Sequence, residues 1–218
     1  MLKRRDLLVL GGAAVVGGAW GLWPRTDATG LPGLGAANAQ GTPSAVEEMT
    51  LGDPDAPVKV VEYASYTCPH CASFHRDTFK DFKEQYIDAG QVHFTYREVF
   101  FDRYGLWAAM VARCAGADRY FGISDLIYAS QSDWARQDDP AAVAESLKRI
   151  GAQAGLSREE LDACLSDGET AQNLVAWYEA NAARDGVRST PSFLVNGEMH
   201  PGNMNLGQIG QLVEDAGS

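Results

Sequence analysis

The stretch EYASYTCPHCASFHRDTF, residues 62–79, places Cys68 and Cys71 two residues apart, with Pro69 and His70 between them, and sets Glu62 and His75 on either side. Its surroundings assign it to a junction. Asp53-Pro54-Asp55-Ala56-Pro57 is turn chemistry, and the apolar and β-branched run Val58–Ala64 that follows reads as a strand. Phe74, Thr78, Phe82 and Tyr86 then recur every four residues, which predicts an amphipathic helix from residue 68 to residue 87, closed by Gly90. Residues 91–101, rich in aromatic and β-branched types, read as a second strand, so the cysteines stand at the start of the helix in a strand–helix–strand unit.

From Gly105 to Gly186 the chain turns Ala-rich and helical, with Asp139-Pro140 as an N-cap followed by proline and Ser157-Arg-Glu-Glu160 as a capping box; four or five helices are expected here. Strand character returns at Ser192–Asn196, turns at Asn196-Gly197, continues over Glu198–His200, and gives way to a last amphipathic helix through Leu206, Ile209, Leu212 and Val213. The chain has 218 residues with 45% in the hydrophobic set, enough for one substantial core.

The N-terminus reads as an export signal. Met1-Leu-Lys-Arg-Arg5 is basic, Leu7–Trp23 is apolar and uncharged, and Ala37-Asn38-Ala39 fits a small-residue cleavage site, so residues 1–39 are taken as the signal or an uncleaved anchor and 40–49 as a linker. Arg4-Arg5 suits either a twin-arginine or an ordinary secretory route. The expected location is the periplasm, an oxidising compartment in which disulfides persist. The formal charge is −11, and removing residues 1–39 makes it −13 (14 basic against 27 acidic residues), a poor match for nucleic acid.

Four readings of the thiol pair compete. Covalent haem needs His directly after the second cysteine, where Ala72 stands. A structural zinc site needs four ligands; Cys68, Cys71 and His75 supply three, with no second close pair, so no metal is expected. A staple closing so short a loop stabilises little. Redox exchange is the reading that remains. With Cys68 at the N-cap and Pro69 at N1, the sulfur faces the unpaired N–H groups and positive dipole end of the helix, which favour a thiolate. His70 at N2 is expected to add an imidazolium charge, and His75 reads as a helix-surface residue.

Cys68-Pro69-His70-Cys71 after a strand, Thr190-Pro191 before a late strand, and a helical block between them resemble the DsbA-like thiol:disulfide oxidoreductases of the thioredoxin superfamily. The resemblance covers residues 50–216 and implies that 50–218 form an α/β thioredoxin fold with a helical insertion, about 105–186, in the middle of its core. It implies that Cys68 is the exposed attacking cysteine, Cys71 its buried partner, Glu62 a buried acid beneath them, and Pro191 a cis-proline whose neighbour Thr190 offers backbone to an extended client. It implies, too, donation of the disulfide to reduced or unfolded exported proteins through a mixed disulfide on Cys68, with no cofactor, and reoxidation by a quinone-linked, DsbB-like membrane partner. Cys114 and Cys164 lie on apolar helical faces and suit buried free thiols or a structural disulfide; the disulfide is expected, closing a loop of about fifty residues worth at most about 4 kcal/mol. Two rival functions share the same thiols: an isomerase or reductase, and a carrier of Cu(I).

Overall fold

The strand at residues 58–64 forms as expected and becomes the middle of a sheet. The computed structural model describes residues 46–218; the export signal and most of the expected linker lie outside them. Five strands, β1 (Met49–Leu51), β2 (Val58–Ala64), β3 (Val92–Glu98), β4 (Ser192–Val195) and β5 (Glu198–Pro201), are ordered β1-β3-β2-β4-β5. β2 and β3 run parallel, while β1–β3, β2–β4 and β4–β5 are antiparallel. A parallel pair needs a crossover, and the helical run after Cys68 supplies it. Both faces of β2 are covered along its C-terminal half, where Glu62, Tyr63 and Ala64 are all buried.

β1 is a correction. The sheet begins at Met49, inside the segment read as linker. Met49 is buried, and Glu48 pairs with Arg97 of β3. Gly52 ends the strand with φ +85°, at a place where a Cβ would run into the carbonyl oxygen of Val92.

The crossover is α1 (Pro69–Phe74) and α2 (Lys80–Phe82), joined and followed by π-helical turns at His75–Phe79 and Lys83–Ile87. The four-residue recurrence of Phe74, Thr78 and Phe82 marks the buried face correctly, since all three are buried. Sequence periodicity carries no mark of the π turns.

The helical block between β3 and β4 has six elements, one or two more than expected: α3 (Arg103–Arg113), α4 (Ala117–Ala129), the one-turn α5 (Gln131–Trp134), α6 (Pro140–Gln153), α7 (Arg158–Ser166) and α8 (Gly168–Asp185). Asp139 accepts from Ala141 N ahead of Pro140, and Ser157 and Glu160 form a reciprocal capping box. A disulfide joins Cys114, at the end of α3, to Cys164 in α7, with Cα atoms 5.9 Å apart. Beside it, Arg113 is held against the buried Glu98 of β3 by two hydrogen bonds of 2.7 Å. The chain closes with α9 (Leu206–Ala216), capped by Asn205 and packed through Ile209 and Val213. This is a thioredoxin fold with a helical insertion, in agreement with the expectation.

Candidate active site

Cys68 is the N-cap of α1. Its backbone is extended (φ −82°, ψ 118°), Pro69 follows at N1, and its side chain completes no capping hydrogen bond. The loop leading to it is held by two side chains, Asp102 and Gln131. Thr67 Oγ1 donates to Asp102 at 2.8 Å, and the same aspartate caps α3 by accepting from Tyr104 N and Gly105 N. Gln131, buried at the start of α5, donates Nε2 to the carbonyls of Tyr66 (2.7 Å) and Cys68 (2.9 Å).

From the opposite side comes the turn before β4. The Thr190–Pro191 peptide bond is cis. The Cys68 thiol donates to the Thr190 carbonyl at 3.5 Å, across 122 residues of sequence. Cys68 keeps 9% of its surface and Cys71 none, so a partner sulfur reaches the first through a narrow opening and does not reach the second. Both are free thiols here.

The electrostatics separate the two sulfurs. The Cys68 pKa is lowered from 9.0 to about 5, chiefly because the neighbouring Cys71 thiol donates to its thiolate; burial opposes the shift, and Thr190 assists it. Thr190 Oγ1 has no other partner in the protein and is available for that role. The backbone N–H groups of His70 and Cys71 add the effect expected at a helix start. His70 thus acts on the sulfur through its backbone, its ring being exposed, which differs from the imidazolium charge anticipated from sequence. Cys71 is pushed far up, first by burial, then by its hydrogen bond to Cys68 and by the charges of Cys68 and Glu62.

Beneath the pair, Glu62 is 0% exposed, flanked in the sheet by Tyr96 and Phe193. Its partner is His75, whose Nε2 lies 3.0 Å from Glu62 Oε2. His75 is not the surface residue read from sequence: its side chain is 2% exposed, stacked on Tyr128 (4.3 Å between centroids, 14° between planes) and walled by Phe74, Phe79 and Tyr96. The reason is its spacing: His75 lies four residues after the buried Cys71 and three before the buried Thr78, on the inner face of the helix. Gln131 was missed outright, since a lone glutamine 60 residues from the cysteines carries no sequence signal. Among the described residues no group of three or more His, Cys, Asp or Glu side chains is arranged to hold a metal, and no helix is long and apolar enough to cross a membrane.

Known proteins resemble this chain in sequence and fold. The family model described as thioredoxin matches residues 44–215. A Rickettsia bellii protein named "Putative protein-disulfide oxidoreductase" is 34% identical over 170 residues, which cover 78% of this chain and 64% of that protein; the chain therefore spans under two thirds of the length of this relative. Disulfide bond formation protein D of Bacillus subtilis is 26% identical over 182 residues, covering 80% of this chain and 79% of that one. The crystal structure of alpha-DsbA1 from Wolbachia pipientis superposes with a TM-score of 0.72 at 28% identity, over 79% of this chain and 92% of the other. With a profile match across most of its length and this structural likeness, the chain belongs to the thioredoxin family, as a DsbA-like member of it.

Proposed function

We propose that the protein is an exported thiol:disulfide oxidoreductase that donates a Cys68–Cys71 disulfide to reduced client proteins. The observation that carries this reading is the contrast within the pair: a helix-start cysteine with a pKa lowered to about 5, facing the cis-Thr190–Pro191 turn, and a fully buried partner whose thiol is held protonated. In the oxidised protein a client thiolate attacks Cys68 Sγ, the Cys68–Cys71 bond breaks, and Cys71 leaves with the electron pair and takes up a proton. A second client thiolate then attacks the client sulfur of the mixed disulfide, and Cys68 departs as a stabilised thiolate. The client loses two electrons and the pair gains them. A low-pKa leaving group speeds the second step and favours the reduced enzyme, the direction required of an oxidant.

The names of the Rickettsia, Bacillus and Wolbachia proteins support disulfide chemistry of this class. Export, a periplasmic location, reduced exported proteins as clients and a quinone-linked membrane partner for reoxidation complete the proposal, supported by the N-terminal pattern of residues 1–39 and by the family likeness. The test is to mix the oxidised protein with a reduced, unfolded client and follow loss of client thiols, with acid quenching to trap intermediates. The expected result is client oxidation through a mixed disulfide that peptide mapping assigns to Cys68. Reduction of insulin disulfides without net oxidation of the client would favour a reductase, and stoichiometric Cu(I) binding without thiol exchange would favour a metal carrier.

A further inference from the structure

The Glu62–His75 pair leaves two polar atoms without partners. Glu62 Oε1 and His75 Nδ1 are both buried and unbonded, although each residue uses its other polar atom in the 3.0 Å contact between them. An orphaned buried polar atom costs about 1–3 kcal/mol, so a pair of them in an aromatic shell is not explained by packing. The two residues lie between different surroundings. Glu62 is close enough to Cys71 for its charge to act on that thiol. His75, one helical turn beyond Cys71, forms part of the wall of a cavity of about 350 Å³ on the far side, shared with Lys83, Asp125 and Tyr128.

The thiol chemistry creates a demand that Cys68 does not meet. Each time the disulfide is donated, Cys71 leaves as a thiolate in a fully buried site and needs one proton; each time it is restored, that proton has to go. Cys71 has no exposed surface through which water could serve it.

We propose that His75 is the proton-relay residue of the thiol pair, passing one proton between Glu62, which serves the Cys71 sulfur, and the cavity behind α1. The inference rests on the oxidoreductase reading above. On reduction, the Glu62 carboxyl gives its proton to the departing Cys71 thiolate, His75 Nε2 restores the proton to Glu62, and His75 regains one through Nδ1 from the cavity. Reoxidation runs the same steps backwards and releases the proton. No electron passes through either residue. The titratable and charged groups around His75 are Glu62 from β2, Tyr96 from β3, Asp125 and Tyr128 from α4, and Arg76, Lys80 and Lys83 around the cavity. His75 acts on Cys71 through Glu62 and is a positioning residue, not a nucleophile.

The experiment isolates the buried thiol. Reduced protein is converted to a Cys68–glutathione mixed disulfide, and the rate at which Cys71 displaces glutathione is followed from pH 5 to pH 9 in the wild type, His75→Gln and Glu62→Gln. Gln keeps a hydrogen bond to Glu62 but does not carry a proton. The expected result is a fall of about 10²-fold at pH 7 in both variants, the low end for proton transfer, with a changed pH profile. The Cys68 thiolate titration, read from absorbance, stays within about half a pH unit of wild type in His75→Gln. Wild-type displacement rates and pH profile in His75→Gln would overturn the relay while leaving the oxidoreductase reading intact; a wild-type protein that neither forms nor resolves the mixed disulfide overturns both. Because the variant could fold poorly, a second measurement uses the wild type alone: the ring nitrogens of ¹⁵N-labelled His75 are titrated in the disulfide and dithiol forms. Different midpoints in the two redox states are expected, and identical titration in both would overturn the proposal.

Discussion

Acidification is the perturbation that bears most directly on the lowered Cys68 pKa. The group titrates at 9.0 in an ordinary environment and at about 5 in the folded dithiol form. A depressed folded-state pKa gives stability that is fully present above the unfolded value and is lost as pH falls through the folded one. At pH 7 two of the four pH units between those values are in use, and at ~1.4 kcal/mol per unit the folded dithiol form gains about 3 kcal/mol. The disulfide form, in which Cys68 does not titrate, gains nothing from this source. Lowering the pH from 7 to 4 is therefore expected to cost the dithiol form about 3 kcal/mol relative to the disulfide form. The same change moves the midpoint of the dithiol form down by roughly 6–12 °C relative to that of the disulfide form, at about 2–4 °C per kcal/mol for a chain of this size. Thermal melts of both forms at half-unit intervals from pH 4 to pH 8 measure it. Oxidised and reduced melting curves that keep a constant separation over this range would refute the reasoning, because no other change in Cys68 produces that pattern.

Replacing Cys71 by Ala removes the main donor to the Cys68 thiolate and is expected to raise the Cys68 pKa, whereas His70→Ala, which keeps the backbone N–H and removes an exposed ring, is expected to shift it less; thiolate absorbance titrations of the two variants give the order. Gln131→Ala leaves the buried carbonyls of Tyr66 and Cys68 without their shared donor, and urea unfolding should show a loss of about 1–3 kcal/mol together with slower mixed-disulfide formation at Cys68. Arg113→Ala strands the buried Glu98 carboxylate, at an expected cost of about 3–5 kcal/mol by the same measurement at neutral pH, with the Cys114–Cys164 disulfide left intact.

Local signals in the sequence were legible wherever one residue type has one strong structural use. Cys68-Pro69 marked a helix start, Asp139-Pro140 and Ser157–Glu160 marked two more, and the β-branched run at 58–64 marked the central strand, because caps, prolines and strand formers act over a few residues. What stayed hidden depends on tertiary placement. β1 is three residues long, too short for alternation to show, and is made a strand by its pairing with β3. His75, read as a surface residue, stands four residues from Cys71 and three from Thr78, a spacing that puts it on the buried face, and its partner Glu62 comes from a separate strand. Gln131 joins the site only because α5 folds back over the cysteine loop. The Glu62 carboxylate was picked out by family resemblance, while its histidine partner had no such signal.

The central claim is that the Cys68–Cys71 pair is an oxidising couple, and the measurement that tests it most directly is the pair's reduction potential, taken at pH 7 by equilibration with glutathione buffers. Thiolate stabilisation of about 3 kcal/mol corresponds to about 60 mV, so the couple is expected at least that far above thioredoxin's roughly −270 mV, near −210 mV or higher. A potential at or below about −270 mV would contradict the account, since a pair that holds its disulfide so tightly is a reductant and does not donate it to clients.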